Sequence, residues 1–384
     1  MSGQSEFACE LGLYVHVPFC ARRCEFCAFY EREPRRADIA RYMDGVLREL
    51  HSLRQHRRVK TVFWGGGTPG ILLPADMERL GSAVLDVCGG MPQEWTVEMT
   101  PLSMRPERLR TLKAMGVNRI SMGVQSFDSR ILEALGRMHS REQVYGAIKA
   151  ARDAGFDNLN IDMMFALPGQ SFEQWEADLN EAIEARPEHI STYCLTFEED
   201  TPLWHRLTSG QTQKRSDEDE ALFYEKTWEI LDKAGLWQYE VANFARPGRE
   251  CLHNLNTWRM HEWLGAGPSA SSQFGMKRWT NTPSLDAWLE GVNCGVPARV
   301  DEVDLDDEML ATDALVFGLR MIQGVDMPEL RTRFPKHDWD AFDALTVGLC
   351  AEGLAQREEP FLKLTPKGRL LTDQIGLSIM ELGS

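Results

Sequence analysis

The chain has 384 residues, of which 43% are hydrophobic and 26% are charged, proportions that are typical of a soluble globular protein with two or three domains. Its formal net charge of −16 argues against a nucleic-acid partner and against an anionic membrane surface, because both favour a basic face. Nine cysteines, an odd number, indicate a reducing compartment, and we expect a cytoplasmic location. We expect neither a membrane-spanning helix nor a signal or transit peptide.

The first half of the chain alternates between predicted strands and predicted helices. Six short apolar runs predict β-strands at residues 13–17, 61–64, 95–98, 119–122, 158–164 and 190–195. Apolar residues at helical spacing predict helices that include residues 39–50, 109–115, 144–151 and 172–183. This alternation predicts an α/β fold with a parallel sheet and helices outside it. Six such units predict a partial, TIM-like barrel and not a closed barrel of eight.

The second half of the chain has a different pattern. A long helix is predicted at residues 217–234, followed by a loop rich in aromatic and polar residues at 239–279. The final segment is mostly helical, and a small β-hairpin is predicted near residues 354–364, as in a winged-helix module. We therefore predict a barrel of residues 10–240, a connecting segment of 241–300 and a C-terminal domain of 301–384.

Three cysteines directly follow the first predicted strand. Cys20, Cys24 and Cys27 have the spacing C-x3-C-x2-C, at the end of the strand where barrel enzymes place their active sites. A [4Fe-4S] cluster usually takes four thiolates, so three would leave one iron open to another ligand. Structural zinc is an alternative, but zinc requires four ligands and commonly uses a second C-x2-C pair, which does not occur in the sequence. His16 could be a fourth ligand, although it lies on the predicted strand four residues before Cys20. A disulfide or inert cysteines are the remaining interpretations.

Further polar residues and glycines follow the other predicted strands. Three glycines at 65–67 allow a ligand to approach the backbone closely. Glu98, Gln125 and Asp162 lie at or near strand ends, and Arg137 is predicted in the following helix. A lone acid on an apolar strand is costly unless it is paired or faces a polar cavity. These residues therefore predict a polar site, with a structural ion pair of Glu98 and Arg137 as the alternative.

Several motifs together resemble the radical S-adenosylmethionine (SAM) superfamily, and within it the family of oxygen-independent coproporphyrinogen III oxidase and its HemW-type relatives. These motifs are YVHVPFC at 14–20, the cysteine triplet, GGGTP at 65–69, GVQSF at 123–127, and NID at 160–162 followed by LPGQ at 167–170. The resemblance implies a radical SAM type partial (β/α)6 barrel with a HemN-type C-terminal domain. It also implies a [4Fe-4S] cluster on the three cysteines, SAM on the open iron and an electron donor, from which a 5′-deoxyadenosyl radical could form. The SAM-contacting or site-lining positions that it implies are Tyr14, Phe26, Gly66, Thr68, Glu98, Gln125, Arg137 and Asp162.

Two departures favour the HemW-type relatives over the oxidase. Phe29 stands where the oxidase has a further cysteine, and only 13 residues precede Tyr14 where the oxidase has a longer arm. The sequence CLHNLNTW at 251–258 resembles the HNxxYW motif of HemW, with Thr257 in place of the tyrosine. The resemblance implies that His253 takes part in heme binding, and an imidazole is a suitable axial ligand for heme iron. Cys251 is a second candidate ligand, and a hydrogen-bonded structural role is the alternative for His253.

The function that this resemblance implies is a heme chaperone, which binds heme and delivers it to an unidentified acceptor protein. The alternative is an enzyme, either an oxygen-independent coproporphyrinogen III oxidase or another radical SAM enzyme such as a methyltransferase or a cyclopropane-forming enzyme. A zinc or interaction protein without catalytic activity is a more distant alternative. Four other histidines show no companions at ligand spacing, namely His189, His205, His261 and His337. The scattered cysteines are interpreted as packing residues: Cys9, Cys88, Cys194, Cys294 and Cys350.

Overall fold

The structure, a computed structural model, describes residues 10–28, 32–54, 58–295 and 298–382, so Cys9 and Phe29 lie outside it. The strands are β1 (Leu11–Val17), β2 (Val59–Gly66), β3 (Glu94–Met99), β4 (Arg119–Gln125), β5 (Leu159–Phe165), β6 (His189–Cys194), β7 (Trp237–Gln238), β8 (Asn243–Ala245), β9 (Glu262–Ala266), β10 (Ser271–Phe274), β11 (Lys277–Asn281), β12 (Arg299–Asp304), β13 (Val325–Asp326), β14 (Ala355–Glu358) and β15 (Phe361–Leu364). The helices are α1 (Arg36–Ser52), α2 (Pro74–Cys88), α3 (Pro106–Met115), α4 (Ser129–Ala134), α5 (Arg141–Asp153), α6 (Phe172–Glu184), α7 (Pro202–Thr208), α8 (Asp217–Lys233), α9 (Leu252–Trp258), α10 (Leu285–Asn293), α11 (Asp307–Gly318), α12 (Met327–Arg333), α13 (Asp340–Ala351), α14 (Pro366–Arg369) and α15 (Thr372–Leu382).

One large sheet organises the chain. Strands β1 to β6 lie side by side in chain order and run parallel, and β9 pairs in parallel with the other edge of β1. Beyond β9 the sheet continues antiparallel through β10, β11 and β12, and beyond β6 it continues through β8 and β7. The six predicted strands are confirmed to within three residues at each end. The α/β fold with a partial barrel of parallel strands is likewise confirmed.

Alternation along the strands separates the core from the barrel interior. Val15, Val62 and Val97 are buried in the main hydrophobic core. The residues that alternate with these along each strand point into the barrel, and they pair in register from strand to strand, as Glu98 does with Ser121. A strand places successive side chains on opposite faces. The barrel interior is therefore polar, although its strands are rich in apolar residues.

The prediction of a loop at 239–279 is wrong, because this region contains β8, α9, β9, β10 and β11. Each of these strands has only three to five residues, too few for an alternating pattern to stand out. β9 to β11 hydrogen-bond into the same sheet as β1. The division at residues 240 and 300 remains a prediction.

The C-terminal segment has a hydrophobic core of its own, which includes Leu315, Phe342, Leu362 and Ile379. The predicted hairpin is confirmed as β14 and β15, and β13 joins it as a third strand. Helix α9 contacts α11, which connects this segment to the barrel. Among the helices that the structure describes, none is long and apolar enough to cross a membrane.

Candidate functional site

The cysteine loop after β1 is held by backbone hydrogen bonds on two sides. The Gly67 N–H donates to the Val17 carbonyl (2.9 Å), and the Thr68 N–H donates to the Phe19 carbonyl (2.8 Å), so the end of β2 supports the start of the loop. On the other side, the Glu25 N–H donates to the Leu135 carbonyl (3.1 Å) after α4. The loop is thus positioned by two separate βα units.

A cavity of about 370 Å³ lies at the C-terminal ends of the barrel strands. Its lining includes all three predicted cluster cysteines and seven of the eight predicted SAM residues, namely Phe26, Gly66, Thr68, Glu98, Gln125, Arg137 and Asp162. Tyr14 is outside the lining, on β1, where its ring stacks on Phe63 with 6.3 Å between the ring centroids. Residues from four neighbouring strands, β2 to β5, and from the cysteine loop therefore meet at one cavity.

Polar side chains of the cavity wall lie against the thiols of Cys20 and Cys24. The Arg137 guanidinium donates to Cys24 Sγ at 3.4 Å, and Cys20 Sγ lies 3.5 Å from the Thr68 hydroxyl. The thiols line the cavity without converging at ligand distance, since no three His, Cys, Asp or Glu side chains of the described ranges form a ready metal site. Three thiols, one of them beside an arginine, are nevertheless the donor set that a cluster with one open iron requires.

The glycines after β2 are required by close contacts. Gly66 has a φ of +99°, and a Cβ there would lie 2.5 Å from the ring of His16. A Cβ on Gly67 would lie 2.6 Å from the Phe19 carbonyl oxygen. Because any side chain would displace the cysteine loop or enter the cavity wall, the backbone must be bare here.

Two acids inside the cavity are electrostatically unusual. The pKa of Glu98 is raised to about 8, mainly by burial and next by the nearby Asp162 carboxylate, while the Gly66 N–H opposes the change. Burial also raises the pKa of Asp162, against hydrogen bonds from Ser191, Asn160 and Ser121. A cation bound beside the two carboxyl groups would stabilise their ionised forms and so offset the cost of burying them. The pair thus favours a positively charged ligand.

Arg137 differs from its prediction in two ways. It lies after α4, not within a helix, because α4 ends at Ala134. Its guanidinium donates to the Gly123 carbonyl and to Cys24. The alternative of a structural ion pair with Glu98 is therefore not what the described residues show.

His139 is a cavity residue that the sequence analysis missed. It lines the cavity and is only 6% exposed. Burial, followed by the charge of Arg137, lowers its pKa to about 4, so the imidazole is neutral at pH 7. A single histidine after a short helix carries no recognisable signal in the sequence.

Gln125, by contrast, was found in the sequence because it ends a strand. A register shift between Gly123 and Gln125 redirects the Gln125 side chain.

A chain of hydrogen bonds connects Asp162 to the other end of the barrel. The Asn160 amide nitrogen donates to Asp162 at 2.7 Å, so the Asn160 oxygen is left to accept, and His189 Nδ1 lies 2.7 Å from it. His189 Nδ1 therefore carries the proton, and Nε2 accepts from the Tyr239 hydroxyl at 2.8 Å. The same hydroxyl accepts from the Cys251 N–H (3.2 Å). We call Tyr239, His189, Asn160 and Asp162 the barrel relay.

His253 is not near the cysteine cavity. It lies on α9 at the N-terminal end of the barrel strands, is 8% exposed, and has Nδ1 3.0 Å from the Thr61 hydroxyl. The Glu94 carboxylate accepts from the Leu252 and His253 N–H groups (2.9 and 3.0 Å) and so caps α9. Cys251 is completely buried, with its thiol 3.4 Å from the same carboxylate. This geometry favours the structural interpretation of His253, and its role in heme binding remains a prediction.

Comparison with known proteins agrees with this arrangement. Residues 14–182 match the radical SAM superfamily, and residues 305–371 match the HemN C-terminal domain. A Bacillus subtilis protein named heme chaperone HemW is 30% identical over 94% of this chain and 97% of its own length. The mitochondrial radical S-adenosyl methionine domain-containing protein 1 of Danio rerio is 34% identical over 83% of this chain and 74% of its own length. Among solved structures, coproporphyrinogen III oxidase (HemN) from Escherichia coli matches with a TM-score of 0.84 and 25% identity, covering 96% of this chain and 90% of that one.

The fold and the cavity lined by three cysteines define a radical SAM protein. The similarity extends along nearly the whole length of the relatives named heme chaperone HemW. The chain therefore belongs to the HemW-type family within the radical SAM superfamily.

Proposed function

We propose that this protein holds a [4Fe-4S] cluster on Cys20, Cys24 and Cys27, binds SAM beside it, and acts as a heme chaperone that passes heme to an acceptor protein. The observation that carries the proposal is the single cavity that contains the three thiols and seven of the eight predicted SAM residues. The heme function is supported by the name that relatives similar over nearly their whole length carry. Thiols that must ligate iron also suit a reducing compartment such as the cytosol.

The cavity residues divide into three tasks. The bare backbone at Gly66 and Gly67 lets a ligand lie against β2 without a clash. Glu98 and Asp162 supply carboxylates in a desolvated wall, where they attract the net positive charge of SAM. Arg137 donates to Cys24 and so holds the cysteine loop against the cavity wall. When bound, the cluster supplies an electron to SAM, and an external donor must replace it.

Anaerobic reconstitution tests the cluster and SAM parts of the proposal. We expect wild-type protein to retain iron and sulfide and to bind SAM, and Cys24→Ala to lose both properties. Cys294→Ala is the matched control, because Cys294 is exposed at the end of α10, outside the cavity. Retention of a full cluster by Cys24→Ala would contradict the assignment of the ligands.

Heme titration of the same preparation tests the chaperone part. We expect a saturable change in the heme absorption spectrum and transfer of heme to an apo-heme protein. Wild-type protein that leaves the spectrum unchanged would defeat the chaperone function while leaving the cluster and SAM assignments intact.

The second candidate is an oxygen-independent coproporphyrinogen III oxidase, favoured by the structural match to HemN. Incubation with coproporphyrinogen III, SAM and a reductant without oxygen separates the two functions. A chaperone leaves the substrate intact, whereas an oxidase forms decarboxylated product together with 5′-deoxyadenosine.

A further inference from the structure

A buried arginine lies inside the barrel, one layer below the cysteine cavity. Arg119 begins β4 and is only 2% exposed. Ser121 and Gly123, which follow it on the same face of the strand, line the cavity, whereas Arg119 does not. Two residues of a strand span about 6.6 Å, so Arg119 lies roughly that distance below Ser121. Its charge therefore acts on the cavity from within the barrel.

This arginine has no direct partner among the described residues. No carboxylate lies within ion-pair distance of its guanidinium, and no group in the described part of the chain accepts a hydrogen bond from it. Burying a charge is costly unless it is paired, so an unpaired arginine in the barrel interior requires an explanation. The explanation lies in the groups that face it from the two ends of the barrel.

At the α9 end of the barrel, Arg119 faces the Glu94 carboxylate, which already accepts from two N–H groups of α9. The other titratable groups that face it there are neutral at pH 7, namely Tyr239, Cys251, His189 and His253. Burial raises the pKa of the phenol and of the thiol. Burial, followed by the charge of Arg119, lowers the pKa of both imidazoles. A neutral His189 is also what the barrel relay requires, since its Nε2 accepts from Tyr239.

At the cavity end, Arg119 faces the two acids Asp162 and Glu98. Burial raises the pKa of Asp162, whereas hydrogen bonds and the charge of Arg119 oppose that rise. Glu98, with a pKa raised to about 8, is mostly protonated at pH 7 in the ligand-free protein. The Tyr193 phenol also faces Asp162 and stays neutral, because burial raises its pKa. Asp162 is thus the cavity acid that the charge of Arg119 can keep ionised at neutral pH.

The lack of a direct ion pair leaves Asp162 able to bind a ligand. An ionised carboxylate offers about four acceptor positions. The Ser121 hydroxyl (3.2 Å) and the Asn160 amide (2.7 Å) donate to Asp162, and Ser191 is a third hydrogen-bond partner. A bidentate arginine would fill what remains. A guanidinium held farther away stabilises the negative charge and leaves acceptor capacity toward the cavity that Asp162 lines.

We propose that Arg119 is a positioning residue of the SAM site, whose unpaired charge keeps Asp162 ionised and able to accept hydrogen bonds from SAM at neutral pH. The inference rests on the SAM binding proposed above, and it goes further because Arg119 lies outside the cavity lining. In a purely structural role, Arg119 would instead hold Glu94 and the start of α9 in place. Such a role affects folding but does not depend on the protonation of Asp162.

Titration of SAM into the reconstituted full-length protein between pH 5 and pH 9 distinguishes the two roles. Affinity is lost as pH falls through the pKa of Asp162, so a higher pKa moves the loss to higher pH. We expect Arg119→Gln to move the midpoint upward by about one pH unit, the low end of the effect of an opposite charge. Below the midpoint the Kd should rise up to about tenfold over wild type, and near pH 9 the two proteins should converge. Arg119→Lys keeps the charge and should keep the wild-type midpoint.

Two controls isolate the effect. Arg41→Gln should leave the Kd and the midpoint unchanged, because Arg41 is exposed on α1 and pairs with Asp286 at the surface. Glu98 also titrates in this range, so Arg119→Gln is compared again in Glu98→Gln protein. Asp162 is then the only one of the two cavity acids that can ionise, and the same upward shift is expected.

Different failures have different meanings. Wild-type protein that binds no SAM at any pH overturns the proposed SAM function, and with it this role. An Arg119→Gln protein that is weakened by the same factor at every pH overturns the positioning role alone, as does an Arg119→Lys midpoint that moves equally far. If Arg119→Gln does not fold, NMR of the carboxyl carbons of cluster-free wild type decides, with Asp162 assigned by comparison with Asp162→Asn. A pKa of Asp162 below 7 is expected, and a value above 7 overturns the inference.

Discussion

The two acids in the cysteine cavity should destabilise the ligand-free protein as they ionise, and Glu98→Gln tests this. The pKa of Glu98 is raised from 4.5 to about 8 in the folded state. The folded protein therefore holds this proton more tightly than the unfolded chain, and its stability falls as pH rises from 4.5 to 8. A glutamine side chain at this position cannot ionise, so the variant escapes this loss.

The size of the effect follows from the shift. Each pH unit in this range removes up to about 1.4 kcal/mol, which gives an upper limit of about 4–5 kcal/mol by pH 8. Because Glu98 is only partly buried in the cavity wall, solvent reduces the penalty, and we expect Glu98→Gln to gain about 2 kcal/mol relative to wild type between pH 5 and pH 8. The same variant should bind SAM about tenfold to a hundredfold more weakly, since a charge-assisted hydrogen bond contributes about 1.5–3 kcal/mol.

Urea unfolding of the cluster-free protein at pH 5 and pH 8, with SAM titration of the reconstituted protein, measures both quantities. Glu49→Gln is the control, because Glu49 has a pKa raised to about 7 by burial but accepts from Gly267, Asn281 and Trp288, outside the cavity. It should leave SAM binding unchanged. A stability difference between wild type and Glu98→Gln that is the same at both pH values would refute the reasoning.

Three further substitutions test other parts of the site. The Gly67→Ala variant should bind less iron, and its free energy of unfolding in urea should fall by about 1–3 kcal/mol, because the new Cβ would meet the Phe19 carbonyl. Normal iron content in this variant would contradict the prediction. Gly146→Ala should instead raise the free energy of unfolding by about 0.5–1 kcal/mol. This glycine lies on the exposed face of α5, and nothing lies within 4 Å of the new Cβ. Tyr239→Phe removes the hydroxyl that donates to His189. The free energy of unfolding should fall by about 1 kcal/mol, and SAM should bind severalfold more weakly. An unchanged Kd for SAM would show that the barrel relay does not position Asp162.

Local patterns in the sequence predict the central part of the fold. The strands β1 to β6 are long enough for apolar runs to be recognised, and α3 ends where its apolar stripe ends, at Gly116 with a φ of +102°. Glu98 and Gln125 were found because they lie at or near the ends of such strands, and Asp162 was found because it is a lone acid on an apolar strand.

Long-range pairing explains what the sequence did not show. β9 pairs with β1 although about 250 residues of chain separate them, and such a contact leaves no trace in local periodicity. His139 becomes a candidate only after folding brings it to the cysteine cavity. The motif around His253 suggested a ligand, whereas its packing against Thr61 shows a residue that is held inside the barrel.

The most direct test of the account is electron paramagnetic resonance of the reconstituted protein after reduction with dithionite, recorded with and without SAM. We predict a signal from a reduced [4Fe-4S] cluster that changes shape when SAM is added, and that Cys20→Ala abolishes. A protein with no such signal, or with a signal that SAM leaves unaltered, would contradict the claim that Cys20, Cys24 and Cys27 hold a cluster with one iron open to SAM.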